Sequence, residues 1–130
     1  MNILTAPQTK TENAVEIVVT EEIGDTICIA SEDGQKVYDR IAAAFQVGKK
    51  VIVSFKDAED ITTAFLAEAI AQLYHVFPEE QVESSLRVVD MEEIDAIDLE
   101  DAIYWTKEYI KDPERYIAAA KEAFGDYFFD

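Results

Sequence analysis

The segment D-M-E-E-I-D-A-I-D-L-E-D carries Asp90, Glu92, Glu93, Asp95, Asp98, Glu100 and Asp101 with no basic residue among them. Oxygen ligands at such density are what a hard divalent cation takes, and Asp90, Glu92, Glu93 and Asp95 are the candidate ligands. A calcium loop needs alternating oxygen ligands around a central glycine; Ile94 or Ile97 breaks that alternation, and the glycine is missing. The competing reading is a solvated loop running into a helix, with Asp95 or Asp98 as its cap and Glu100 and Asp101 in its first turn, where negative charge suits the helix dipole. With so many equivalent carboxylates, no pair is singled out for acid/base catalysis.

A second constellation is V-I-V-S-F-K-D-A-E-D-I-T-T-A-F-L-A-E-A-I. Asp57, Glu59 and Asp60 form an acidic loop beyond an apolar strand, and Thr62 and Thr63 stand where the next helix begins. An exposed hydroxyl there meets unpaired backbone N–H groups, which would stabilise a phosphate placed on it. The plainer reading makes Thr62 the N-cap and puts Thr63 in the first turn.

The rest of the catalytic inventory is thin. His75 is the sole histidine and Cys28 the sole cysteine, which leaves almost nothing for a zinc site or a nucleophile–base pair. Glycines stand only at positions 24, 34, 48 and 125, so neither phosphate-cradling glycine motif can be built. His75 reads as a partly exposed polar residue late in a helix, and Cys28, set in I-C-I, as a small buried hydrophobe in a reducing cytoplasm. A non-enzymatic protein without a cofactor is expected.

The elements that would position these residues follow from patterning. V-E-I-V-V-T at 15–20 and I-C-I-A at 27–30 read as strands, and Gly24 and Asp25 between them suggest a hairpin. Ser31 looks like the cap of a helix with Val37, Ile41, Ala44 and Phe45 on one face, closed by Gly48. V-I-V-S-F at 51–55 is short and almost wholly apolar, the mark of a central strand covered on both faces. A second helix is expected from about Thr62 to Phe77, with Phe65, Leu66, Ala69, Ile70, Leu73, Val76 and Phe77 buried and Pro78 at its end. S-L-R-V-V-D at 85–90 makes a fourth strand. A third helix follows over 97–110, burying Leu99, Ile103, Thr106 and Ile110; a fourth opens at Pro113 behind the cap Asp112 and is stopped by Gly125. The fold class is therefore α/β, a mixed sheet of about four strands with helices packed on it and an extra C-terminal helix, forming one domain over 14–130 behind a flexible leader at 1–13. Ligands and partners of such sheets approach the carboxyl ends of the strands, here the loops after Phe55 and Asp90.

Composition narrows the partners. The 130 residues carry 28 acidic and 11 basic side chains, a formal charge of −17 on a chain that is 49% apolar. That field repels phosphate backbones and anionic headgroups, so neither nucleic acid nor a membrane is expected as a direct partner, and no apolar run is long enough to span a bilayer. A cytoplasmic protein follows.

From S-E-D-G-Q-K-V through F-Q-V-G-K-K-V-I-V-S-F to I-T-T-A-F-L-A-E-A-I-A-Q-L-Y, the chain resembles the STAS-like family of unknown function over about residues 25–110. This bacterial group is related in fold to sulfate-transporter and anti-sigma-factor-antagonist (STAS) domains. The antagonists carry D-S-S-G at the helix start, with a phosphorylated serine. On that pattern Thr62 takes the place of the aspartate, Thr63 that of the phosphorylated serine, Ala64 that of the second serine and Phe65 that of the glycine. The hydroxyl survives at Thr63 while the aspartate and glycine do not, which leaves phosphorylation as an option. The resemblance implies a non-enzymatic regulatory module whose relatives switch between protein partners, often ATPases of the histidine-kinase superfamily. The alternatives are an acidic decoy that occupies a basic partner and a divalent-cation binder using the carboxylates of 90–101; a homodimer is a further option. The C-terminal helix and the aromatic tail Tyr127, Phe128 and Phe129 lie outside the resemblance.

Overall fold

The run V-I-V-S-F builds the centre of the sheet. A computed structural model describes residues 14–124, and in it the elements are, in chain order, β1 (Val15–Val18), α1 (Val19–Ile23), β2 (Ile27–Cys28), α2 (Ser31–Gln46), β3 (Val51–Ser54) and β4 (Asp60–Ile61). They continue with α3, made of Thr63–Leu66, a π-helical turn Ala67–Ala71 and Leu73–Val76, then α4 (Glu79–Ser85), β5 (Leu86–Val89), α5 (Glu93–Lys111) and α6 (Pro113–Phe124). β3 lies between β1 and β5, parallel to both, so that Val18, Ser54 and Val89 stand level across the sheet. Val51, Val53 and Phe55 are buried on one face of β3, and on the other Ser54 is buried and Ile52 half-buried, so both faces are covered. The α/β class and the C-terminal helix are as the sequence predicts, with five strands where about four were expected.

The expected hairpin is not formed. β1 pairs with β3, and β2 forms a separate parallel two-stranded ladder with β4. Val19 to Ile23 turns into α1, taking Val19 and Thr20 out of the expected strand, and Gly24, in the left-handed region at φ 73°, closes that helix by donating to the Thr20 carbonyl. A glycine with positive φ serves a helix C-terminus as readily as a hairpin turn, and here the helix takes it.

α2 buries Val37, Ile41, Ala44 and Phe45 as its spacing predicts. Its N-cap, however, is Ala30, and Ser31 is its first residue, without a side-chain cap. Gly48, at φ 75°, follows its end. α3 is the innermost helix: Phe65, Leu66, Ala69, Ile70 and Leu73 are fully buried. Each large apolar side chain removed from water here stabilises the fold by about 1.5–3 kcal/mol before entropy is counted. The expected stripe runs out at its end, because a π-helical turn holds an extra residue and advances the face by about one position. Tyr74 is buried, while Val76 is turned outward at 59% exposure.

Pro78 ends α3 and also caps α4, a helix with a single buried residue, Val82, and therefore no readable periodicity. α5 starts at Glu93, earlier than the predicted 97, behind the N-cap Glu92, and neither Asp95 nor Asp98 is its cap. Leu99 and Ile103 are buried as expected, but Ile110 is 41% exposed. Lys107 fixes α5 to α4, donating to the carboxylates of Glu79 (2.9 Å) and Glu83 (2.7 Å) above the Tyr74 ring. Burial lowers the ammonium pKa, but the two carboxylates outweigh it and raise the net value. Asp112 caps α6 through Arg115 N–H at 3.2 Å, as predicted. The leader at 1–13, Gly125 and the aromatic tail lie outside the described residues. Among the described residues no helix is long and apolar enough to cross a membrane.

Candidate functional site

Parallel pairing in register sends the chain off β3 and β5 at the same edge, and there Ser54 ties the two exits together. Ser54, the one buried polar side chain among the described residues, donates to Asp90 Oδ2 at 2.6 Å and accepts from Lys56 N–H at 3.2 Å. Phe55 N–H adds a bond to the Val89 carbonyl at 3.1 Å. Both exits turn through left-handed aspartates, Asp57 at φ 64° and Asp90 at φ 59°. Asp visits that region more readily than bulkier residues, so each strand stops sharply without a glycine. The acidic loop and the run from Asp90 thus begin beside one another, on the edge where partners of such sheets approach.

The short β2–β4 ladder then sets the start of α3. Asp60 stands opposite Ile27, and Ile61 opposite Cys28. Glu59 N–H donates to the Thr26 carbonyl at 2.9 Å, and the Glu59 carboxylate accepts from the Thr26 hydroxyl. Thr62 N–H donates to the Cys28 carbonyl at 3.1 Å, while its hydroxyl accepts from Phe65 N–H at 3.1 Å and donates to the Ile29 carbonyl at 3.4 Å. Thr62 is therefore the N-cap, committed to holding the helix start. Thr63 is exposed in the first turn, and Asp57, Glu59 and Asp60 are exposed before it. Replacing Thr62 with alanine is expected to cost about 1 kcal/mol, the usual value of a lost cap. The same change at Thr63 should stay within about 0.5 kcal/mol. Chemical denaturation of the two variants checks the contrast.

Cys28 is fully buried, and burial first, then Asp25, Asp33 and Asp95, push its thiol pKa up to about 11. A thiol so protonated at neutral pH is a packing group and a poor nucleophile. His75 is exposed, its ring edge-on to Tyr109 with centroids 5.9 Å apart. Of the carboxylate run, Asp90 is engaged by Ser54, Glu92 precedes α5, and Glu93 and Asp95 lie in its first turn. Among the described residues no three His, Cys, Asp or Glu side chains are placed to hold a metal ion.

Asp95 is held above the usual carboxylate range by burial first, then by the Glu92 and Asp98 carboxylates. Its proton is bound more tightly in the folded than in the unfolded protein. Stability therefore falls as pH rises from the ordinary value of 3.8 through the raised one, and above that window the charged Asp95 is a net liability. Asp95→Asn is expected to raise Tm at neutral pH by about 1–2 °C, the size of a screened, partly exposed interaction, with the gain vanishing in acid. Thermal melts across pH check it.

Sequence patterning misses one component. Beside Thr63, α3 and α5 enclose a groove of about 350 Å3 lined by Thr63, Ala67, His75, Ala102, Trp105 and Tyr109, with Asp101 as its charged lining residue. Trp105 and Tyr109 are four apart, a spacing that puts them on one helix face. That was the available signal, obscured because the Leu99–Ile103 stripe accounts for the helix as a core element.

No curated protein and no solved structure matches the chain. The family model of the STAS-like domain of unknown function matches residues 33–96. This is narrower than the resemblance over 25–110, running from the first turn of α2 through β3, the β4–α3 junction, α3, α4 and β5 into α5. The segment that builds the sheet edge and the exposed helix start is thus the part of the chain that is similar to the STAS-like domain of unknown function.

Proposed function

We propose that the chain is a non-enzymatic regulatory module of the cytoplasm that binds a protein partner at the β4–α3 junction and, like the relatives implied by its resemblance, switches between partners, one of them a histidine-kinase-type ATPase. The observation that supports this most is the contrast between neighbouring threonines: Thr62 is consumed as the cap, whereas Thr63 presents an exposed hydroxyl at the start of a helix rooted in the core. Asp57, Glu59 and Asp60 flank it, and the ladder to β2 holds the whole junction in one geometry. A rigid, exposed helix start beside an acidic loop suits recognition. A negative charge added at Thr63 would sit on the positive end of the α3 dipole and change what that surface attracts.

The test is a pull-down from cell extract with the wild-type chain and with Thr63→Glu. Recovery of at least one specific protein should change; an identical set from both would remove this surface from the proposal. The acidic-decoy reading is favoured by the adjacent exits of the acidic loop and the Asp90 run. It predicts capture that collapses steeply as salt rises, regardless of the residue at position 63.

A further inference from the structure

The groove beside Thr63 has an apolar floor and an acidic end. On α5, Asp98, Asp101, Trp105 and Tyr109 follow one another at helical spacing, so one stripe passes from carboxylates to aromatic rings. Trp105 is 58% exposed, an unusual place for the chain's single tryptophan. Its ring is not loose: Tyr116 of α6 lies edge-on to it with centroids 6.4 Å apart and tilts against Tyr109 at 6.1 Å, while His75 supports Tyr109 from α3. A held aromatic wall with an open apolar groove in front has the character of an interaction hot spot. The groove's lining includes no Lys or Arg.

We propose that this groove takes an amphipathic helix of a protein partner, with an aromatic or aliphatic anchor against Trp105 and Tyr109 and Lys or Arg side chains directed to Asp98 and Asp101. This rests on reading the chain as a protein-binding module and adds the partner's chemistry. Charge decides among occupants. A second copy would bring −17 against −17, and the chain's own tail D-Y-F-F-D would bring aromatic rings flanked by two more carboxylates. A basic amphipathic helix satisfies both halves of the stripe, its apolar face in the groove and its cations at the acidic end.

The test uses the full chain and a synthetic tryptophan-free helical peptide with Phe and Leu at i, i+4 and i+7 and Lys and Arg at one end, read by Trp105 fluorescence. Trp105 should shift to the blue and saturate. Affinity should fall about tenfold with a peptide carrying Glu in place of Lys and Arg, and about as much in Asp101→Lys, a surface change that leaves the fold intact. Ala67→Leu, which narrows the groove, should also weaken binding, with circular dichroism confirming that the variant is folded. An unmoved Trp105, or equal binding of both peptides, overturns the proposal. So does a Trp105 shift on concentrating the chain alone, which assigns the groove to a second copy. A red shift of Trp105 on Phe128→Ser, which assigns it to the tail, overturns it too. Should Thr63→Glu alter partner capture while the basic peptide leaves Trp105 unmoved, the groove assignment alone falls; should capture stay unchanged while the peptide binds as described, the reading of the β4–α3 junction alone falls.

Discussion

Phe65→Ala is expected to lower Tm by about 10–20 °C, the counterpart of a 3–5 kcal/mol loss in a chain of this size. Phe65 is fully buried two residues beyond Thr63, and its ring packs edge-on against Phe55, with centroids 6.5 Å apart, where β3 ends. Its backbone N–H is also the donor that Thr62 caps. The residue therefore joins the central strand to the helix start, and truncating it leaves a cavity beneath the proposed binding surface. In the D-S-S-G pattern a glycine stands at this position, so the substitution also asks what the phenylalanine does here: it anchors α3 to the core. Thermal melting of the variant reads the loss directly. A Tm within a few degrees of wild type would mean that the helix start is held by the β2–β4 ladder alone.

The second large effect is expected at Gly34. A side chain there would meet Glu68 Cβ at 3.0 Å and the Phe65 carbonyl oxygen at 3.1 Å, so α2 and α3 approach through the space a Cβ would need. Helix propensity alone predicts that Gly34→Leu stabilises by nearly 1 kcal/mol. The clash reverses the sign, because one of the obstructing atoms is backbone of a packed helix and cannot step aside. A net loss of about 2–3 kcal/mol is expected, the cost of overpacking a tight contact. Denaturant unfolding measures it, and a stabilised variant would show that the two helices separate without penalty.

The sequence makes some of this fold legible and hides the rest for identifiable reasons. V-I-V-S-F announces β3 because a strand buried on both faces has no polar alternation to mimic anything else. The α2 stripe and the body of α3 are equally plain, since their apolar residues recur at helical spacing over several turns. Gly24 misleads because left-handed backbone closes α1 as easily as it would a hairpin. β4 has two residues and exists through its pairing with β2, a partner distant in sequence. α4 buries only Val82 and so carries no stripe, and the acidity that made 90–96 look like a loop is compatible with the first turn of α5. At the candidate site, Thr62 as cap and Thr63 as exposed neighbour were both readable from position. The groove was not, because it needs His75 brought beside Trp105 and Tyr109, and α3 and α5 meet only through the tertiary packing of buried residues far apart in the chain.

The most direct test of the central claim, that a protein partner binds at the start of α3, is site-specific photo-crosslinking of the full chain in extract. A benzophenone amino acid replaces Thr63 in one sample and Lys49, exposed ahead of β3 at the opposite edge of the sheet, in the other. The account predicts a discrete protein adduct from position 63 and none from position 49. Adducts of equal yield from both positions, or from position 49 alone, would contradict it.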